Sequence, residues 1–258
     1  MPSSKPLLVV VGIGQGGGTG AATAPIDQSR RKFSNEGYSI ALIARGADSL
    51  KSLETELKAS GADATAFPIP SYEQLSLQSA FQAIRTRYPS PEYSIRAAVY
   101  NAGVSIWKPF LAITSDDIKA TTQANVEGAF AFAHEVITEY RKNVIDEENG
   151  LEKKGVLIFT GATGSLRGGP MTSVFSAGKF ALRALSQSLA KEFGKENVHV
   201  AHAIIDGVIV TPQGRERFSN ATNYDNEDQR LSPEAIASAY VYLAKQPRSA
   251  WTWELDRA

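Results

Sequence analysis

One lysine stands within a stretch of helical composition, SVFSAGKFALRAL, residues 173–185. Phe175 and Lys179 are four residues apart, so on a helix their side chains share one face, with Ser176 between them. A lysine ammonium can bind a ligand, whereas a phenylalanine has no proton to exchange. The spacing therefore predicts an ammonium and an apolar ring on one face of a helix.

A second segment with chemistry of its own is the glycine-rich stretch GIGQGGGTGAATA, residues 12–24. Glycines remove the Cβ atoms that would keep a pyrophosphate away, and a helix that follows offers free N–H groups and the positive end of its dipole. Its place between an apolar run and a helical segment predicts a nucleotide-binding turn, with a merely flexible loop as the alternative. The residues of this turn predicted to contact a cofactor are Gly12, Gly14, Gly16, Gly18, Thr19 and Gly20.

The residue after the second apolar run bears on which dinucleotide would bind. An acidic residue at that place binds the ribose hydroxyls of NAD, whereas this chain has Ala44 followed by Arg45. Arg45 therefore favours the 2′-phosphate of NADP over NAD. The alternative is an arginine that simply begins a solvated loop.

Short β-branched runs alternate with segments of helical composition along the chain. Because runs that are apolar on both faces suit a parallel sheet covered on each side, this alternation predicts an α/β, doubly wound Rossmann-type fold in a single domain over 1–258. Strands are predicted at 7–12, 38–45, 96–103, 155–161 and 198–207, with weaker ones at 63–69 and 250–256. Helices are predicted at 18–36, 46–60, 71–87, 115–142, 173–194 and 232–246.

Composition narrows the class of partner. The 27 basic and 27 acidic residues cancel, so there is no basic field to attract nucleic acid or an anionic membrane. Cysteine is absent, and no apolar run approaches the roughly 20 residues of a spanning helix. His199 and His202 alternate with apolar residues, which favours packing over metal binding. We expect a soluble cytoplasmic protein without a metal, acting on a small molecule.

From about Leu7 to about Asp256 the chain resembles the short-chain dehydrogenase/reductase family. The resemblance rests on the glycine-rich turn, NAG at 101–103, Asn125 in the fourth predicted helix, an F-x-x-x-K version of the family's Y-x-x-x-K, and DGVIVT at 206–211. It implies a sheet of about seven strands, a nicotinamide cofactor, and a homodimer or homotetramer packed through the fourth and fifth predicted helices. The further cofactor contacts that it implies are Asn101, Ala102, Gly103, Lys179, Gly207, Val208, Ile209 and Thr211.

The resemblance also assigns roles around the lysine. In the family a tyrosine exchanges a proton with the substrate oxygen, and the lysine holds the nicotinamide ribose and lowers the phenol's pKa. Here Phe175 replaces that tyrosine, as in a branch that FTGATGSLRGG (159–169) also resembles. The family's serine falls at Ala162. The resemblance lets Asn125 support a water beside Lys179, although a side chain bonded to helix backbone is the alternative.

Other groups must then supply the proton, and the candidates are Ser176, Thr163, Ser165 or an ordered water. The sequence predicts an NADP-dependent oxidoreductase for a small carbonyl or alcohol, bound between Phe175 and the polar segment 208–230, with this altered proton donor. One alternative is an NADP-binding sensor or inactive partner protein with little turnover. Another is a descendant that binds no nucleotide because an insertion at 25–30 distorts the glycine-rich turn.

Overall fold

A computed structural model describes residues 4–13, 33–145, 153–210, 226, 228 and 230–257. The strands within these residues are β1 Lys5–Val11, β2 Ser39–Ala44, β3 Ala64–Pro68, β4 Tyr93–Tyr100, β5 Gly155–Ala162, β6 Val198–Ile205, β7 Val208–Ile209, β8 Arg230–Leu231 and β9 Glu254–Arg257. The predicted Rossmann-type α/β fold is confirmed: seven parallel strands form one sheet in the order β3-β2-β1-β4-β5-β6-β9, and β7 and β8 form a separate parallel pair.

Helices follow the strands as the alternation predicts. They are α1 Ala47–Ala59, α2 Gln74–Arg87, α3 Ser115–Thr122, α4 Gly128–Lys142, α5 Ser173–Phe193 and α6 Pro233–Lys245. The prediction of one helix over 115–142 is wrong in one respect, because a π-helical turn, Gln123–Glu127, separates α3 from α4. Most of the predicted helix 18–36 lies outside the described residues, but residues 33–35 are helical.

The central strands are apolar on both faces because helices cover both. On β1, Leu7 and Val9 belong to a core cluster with α2, α4 and α5, whereas Leu8 and Val10 face α6. This alternation follows from the two-residue period of a strand. No helix in the described ranges combines the length and apolarity that crossing a membrane requires.

Candidate cofactor and substrate site

A cavity of about 420 Å³ lies at the carboxyl ends of β4, β5 and β6, against the first turns of α5. Ligands of doubly wound sheets bind at this edge, because the loops that follow parallel strands converge there. Its walls combine loop backbone, apolar side chains and a few polar groups. The side chains that matter below are those of Trp107, Thr163, Arg167, Thr172, Phe175, Ser176 and Lys179.

The predicted glycine-rich turn begins at Gly12, which has a φ of +88°. A Cβ at Gly12 would lie 2.2 Å from the Ala102 nitrogen, so the loop after β4 leaves room for glycine alone. Asn101 fixes this contact, because its side-chain amide donates to the Gly12 carbonyl at 2.7 Å. The NAG segment therefore holds the start of the turn in place. The other predicted residues of the turn, 14–20, lie outside the described residues.

Lys179 reaches the cavity from α5 and is 5% exposed. Its Nζ donates to the Thr160 carbonyl at 2.9 Å. Burial lowers the pKa of the Lys179 ammonium to about 8. A Cβ at Gly103 would lie 3.6 Å from Nζ, so the cation sits against the NAG loop. Lys179 can therefore offer N–H donors to a ligand lying between α5 and that loop.

Asn125 lies in the π-helical turn beside this lysine. It is fully buried, and neither its amide nitrogen nor its amide oxygen has a hydrogen-bond partner among the described residues. The alternative in which this side chain bonds to helix backbone is therefore wrong. Its Oδ1 lies 3.1 Å from the position that a Gly103 Cβ would take. Because an unpartnered buried amide costs about 1–3 kcal/mol, this pair of polar atoms favours a bound hydroxyl or water.

Phe175 forms an apolar wall of the cavity. Its ring is packed so closely against Gly164 that a Cβ there would lie 2.7 Å from Cε1. The ring centroid of Trp107 is 6.2 Å away at an interplanar angle of 31°. Phe175 and Lys179 thus line the same cavity, as their spacing predicts.

Two of the three candidate hydroxyls line the cavity. Ser176 Oγ donates to Thr172 Oγ1 at 3.1 Å, and Thr163 Oγ1 donates to the carboxylate of Asp206. The third, Ser165, is fully buried; its Oγ accepts the Ala162 N–H at 3.1 Å and is outside the cavity wall formed by the described residues.

The remaining predicted contacts lie at two places. Gly207, Val208 and Ile209 line the cavity after β6, whereas Thr211 lies outside the described residues. Arg45 follows β2 and is exposed, with its guanidinium 5.0 Å from the ring centroid of Tyr72. It therefore lies at the carboxyl end of the sheet, after a strand that does not contribute to the cavity.

A family model described as short chain dehydrogenase matches residues 8–222. The chain belongs to this family. It is 26% identical over 243 residues to the uncharacterized oxidoreductase YxnA of Bacillus subtilis, an alignment that covers 93% of this chain and 63% of YxnA. The chain thus spans less than two thirds of that relative. Against the short-chain dehydrogenase/reductase eriH of Hericium erinaceus it is 24% identical, with 95% of this chain and 92% of eriH covered.

Solved structures of the short-chain dehydrogenase type share the fold. A short-chain dehydrogenase from Rhodopseudomonas palustris aligns with a TM-score of 0.72 at 27% identity, over 98% of each chain. An alcohol dehydrogenase from Thermococcus sibiricus, complexed with 5-hydroxy-NADP, aligns with a TM-score of 0.73 at 20% identity, over 98% of this chain and 95% of that one. A gluconate 5-dehydrogenase from Burkholderia cenocepacia, in complex with NADP and tartrate, aligns with a TM-score of 0.76 at 17% identity, over 98% and 94%.

Sequence reasoning missed two features of this site. One is the contact of Thr163 with Asp206; the only signal was that Asp206 stands where the family has proline. The other is a partly buried cluster behind the cavity, in which His202 Nδ1 lies 3.0 Å from a Glu254 oxygen, and Arg183 binds both oxygens of Glu254 at 2.6 and 2.7 Å. The sequence signal for this cluster was a histidine within an apolar strand.

Proposed function

We propose that this protein is an NADP-dependent oxidoreductase that transfers a hydride between the nicotinamide and a small carbonyl or alcohol in the cavity. Its proton donor is altered, because Phe175 replaces the family's tyrosine. The observation that carries the proposal is the buried Lys179 ammonium on the wall of a cavity at the carboxyl edge of the sheet, in a chain of this family.

The polar groups of the site fit a nicotinamide cofactor. Lys179 has N–H donors beyond the one that it gives to Thr160, and Gly103 leaves room beside them for a ribose. The amide of Asn125 adds a buried donor and acceptor without partners in the described part of the chain. When bound, the nicotinamide supplies or accepts the hydride. Lys179 binds and orients the ribose, and the NAG loop holds the phosphate turn.

NADP rather than NAD is the proposed cofactor. Arg45 is an exposed cation after β2, and its contact with Tyr72 holds it at the carboxyl edge of the sheet. A guanidinium forms strong charge-assisted hydrogen bonds to phosphate oxygens. Two structures with this fold hold NADP or an NADP derivative.

The walls of the cavity favour a small, mostly apolar substrate. Trp107 and Phe175 form one side, and Val208 and Ile209 form another. Such walls exclude water around the reacting carbon and reward apolar substituents at about 25 cal/mol per Å² buried. The few polar groups beside these walls orient the substrate oxygen.

A homodimer or homotetramer is proposed as the assembly. Large apolar side chains are exposed on the helices through which the family pairs: Ile118 on α3, Phe130 on α4 and Phe180 on α5. Exposed apolar patches of this kind mark protein–protein contacts. Sedimentation velocity tests this, and a monomer at micromolar concentration contradicts it.

A second function is favoured by one observation: Ala162 and Phe175 both lack the hydroxyl that the family places at these positions. A general acid contributes on the order of 100- to 10,000-fold to a rate. A chain without one can bind NADP and turn over little, as a sensor or as an inactive partner protein. Measured turnover separates this function from the first.

The experiment begins with a fluorescence titration of NADPH, followed by cofactor turnover with a panel of ketones, aldehydes and alcohols. Binding with turnover supports the oxidoreductase, and binding without it supports the sensor. Absence of both NADPH binding and turnover supports the alternative in which the chain binds no nucleotide.

The variant Phe175→Tyr tests the site itself. A phenol beside the Lys179 ammonium is activated as an acid, so ketone reduction should rise by on the order of 100-fold or more. Phe110→Tyr adds the same hydroxyl to an exposed ring outside the cavity wall formed by the described residues and should leave the rate unchanged. Intact NADPH binding without any gain in Phe175→Tyr contradicts the proposed geometry.

A further inference from the structure

The hydrogen bond between Thr163 and Asp206 is set by the register of the sheet. On the neighbouring strands β5 and β6, Ala162 pairs with Ile205, so the next residues along the two strands are Thr163 and Asp206. Thr163 Oγ1 donates to Oδ1 of the Asp206 carboxylate. The carboxylate thus stands at the carboxyl edge of the sheet, where the cavity opens.

The second oxygen of this carboxylate faces a cation. Arg167 Nη2 lies 3.6 Å from Asp206 Oδ2, and the Asp206 side chain is 23% exposed. The guanidinium thus lies beside one carboxylate oxygen of Asp206, and Thr163 donates to the other. An ionised carboxylate that holds a hydroxyl in this way increases the basicity of the hydroxyl oxygen.

The other hydroxyl groups of the cavity have hydrogen-bond partners of a different kind. Ser176 donates to Thr172, which donates in turn to the Gly169 carbonyl, and a backbone carbonyl does not take up a proton near neutral pH. Ser105 Oγ accepts the indole N–H of Trp107 at 3.1 Å. Of the hydroxyls on the cavity wall in the described ranges, Thr163 is the one whose partner is a carboxylate.

We propose that Thr163 and Asp206 are the proton-accepting pair of this site during alcohol oxidation. The inference rests on the proposed function. The substrate O–H bond breaks as its proton passes to Thr163 Oγ, and Thr163 passes its own proton to Asp206, which becomes a neutral carboxylic acid. The substrate carbon loses a hydride, with its electron pair, to the oxidised nicotinamide, and a carbonyl forms. In reduction the same proton returns to the substrate oxygen.

This pair differs from the phenol that Phe175 replaces in the step that it serves. A phenol carries the proton that ketone reduction consumes, whereas a carboxylate accepts the proton that alcohol oxidation releases. The resting site is therefore prepared for an alcohol rather than for a ketone. Alcohol oxidation is therefore the direction in which the pair is tested.

The test compares four variants with the wild type, using NADP⁺ and an alcohol that the wild type oxidises. Asp206→Asn keeps an oxygen for the Thr163 hydrogen bond but cannot take up the proton, and Thr163→Val removes the relay. Both should lower kcat for oxidation by on the order of 100- to 10,000-fold, with KM and the NADPH Kd changed by less than about threefold. Thr163→Ser keeps a hydroxyl and should stay within about tenfold of the wild type.

Asp63→Asn is the matched control, because Asp63 also pairs with an arginine, Arg87 at 2.9 Å, at the opposite end of the sheet from the cavity. It should leave kcat unchanged. A folded Asp206→Asn variant with wild-type kcat overturns the proposed role of the pair. A fall of kcat in Thr163→Val that is equally large in Thr163→Ser also overturns it. A loss of NADPH binding in both variants shows a structural role and also overturns it. If the wild type binds NADPH but oxidises no alcohol, the proposed function fails first, and the pair fails with it.

Discussion

Two buried imidazoles make the fold sensitive to acid. Burial lowers the pKa of His199 and of His202 to about 4, against about 6.5 in an unfolded chain. The two side chains are 2% and 0% exposed, so solvent screens them little. Between pH 6.5 and pH 4 the unfolded chain binds protons that the native chain does not. The stability present above pH 6.5 is therefore lost as the pH falls.

The size of the loss follows from these values. One pKa unit corresponds to about 1.4 kcal/mol, and between pH 7 and pH 5 each histidine contributes a loss of about 2 kcal/mol. Together they remove about 4 kcal/mol, which is a large part of the 5–15 kcal/mol typical of folded domains. Arg183 lowers the pKa of the Glu254 carboxyl, so that the partner of His202 stays charged through most of this interval.

Urea unfolding at pH 7, 6 and 5 measures this loss. His202→Gln removes one titrating group, so its unfolding free energy should fall by about 2 kcal/mol less than that of the wild type over the same interval. His134 is exposed on α4, and His134→Gln should keep the wild-type pH dependence. Equal pH dependence in all three proteins refutes the reasoning.

Two further predictions concern other parts of the site. Arg45→Ala should weaken NADPH at least about tenfold more than NADH, because a charge-assisted hydrogen bond contributes about 1.5–3 kcal/mol, and fluorescence titration of both cofactors measures the difference. Equal losses make Arg45 a surface residue only. Gly161→Ala should lower the unfolding free energy by about 1–3 kcal/mol, because its Cβ would lie 2.4 Å from His202 Nε2. Gly194→Ala meets no atom within 4 Å and serves as the control in urea unfolding, where an equal effect of both variants contradicts the clash.

The fold could be predicted from the sequence because its signals are local. Apolar runs of strand length alternate with longer helical segments, and even the two weak runs at 63–69 and 250–256 correspond to the edge strands β3 and β9. The π-helical turn at 123–127 carries no such signal. Its residues have ordinary helical composition, and the extra residue in the turn is fixed by tertiary packing.

Part of the site could also be predicted from local sequence signals. Lys179 and Phe175 share a helix, so their spacing is sufficient to place them on one wall. Thr163 and Asp206 are 43 residues apart, and only the pairing of β5 with β6 brings them together. The sequence alone does not indicate that these two residues are in contact.

The π-helical turn also ties the orientation of α4 to the placement of one amide. Asn125 lies within the turn, and the core side chains Phe132, Val136 and Tyr140 follow on α4. An α-helix turns about 100° per residue, so deleting one residue from 123–127 without any shift of α4 would turn every later side chain by that angle. The chain would then either lose the aromatic core face of α4 or swing the amide away from Lys179. The packing of α4 therefore fixes the length of this turn, and the site fixes the identity of Asn125 within it.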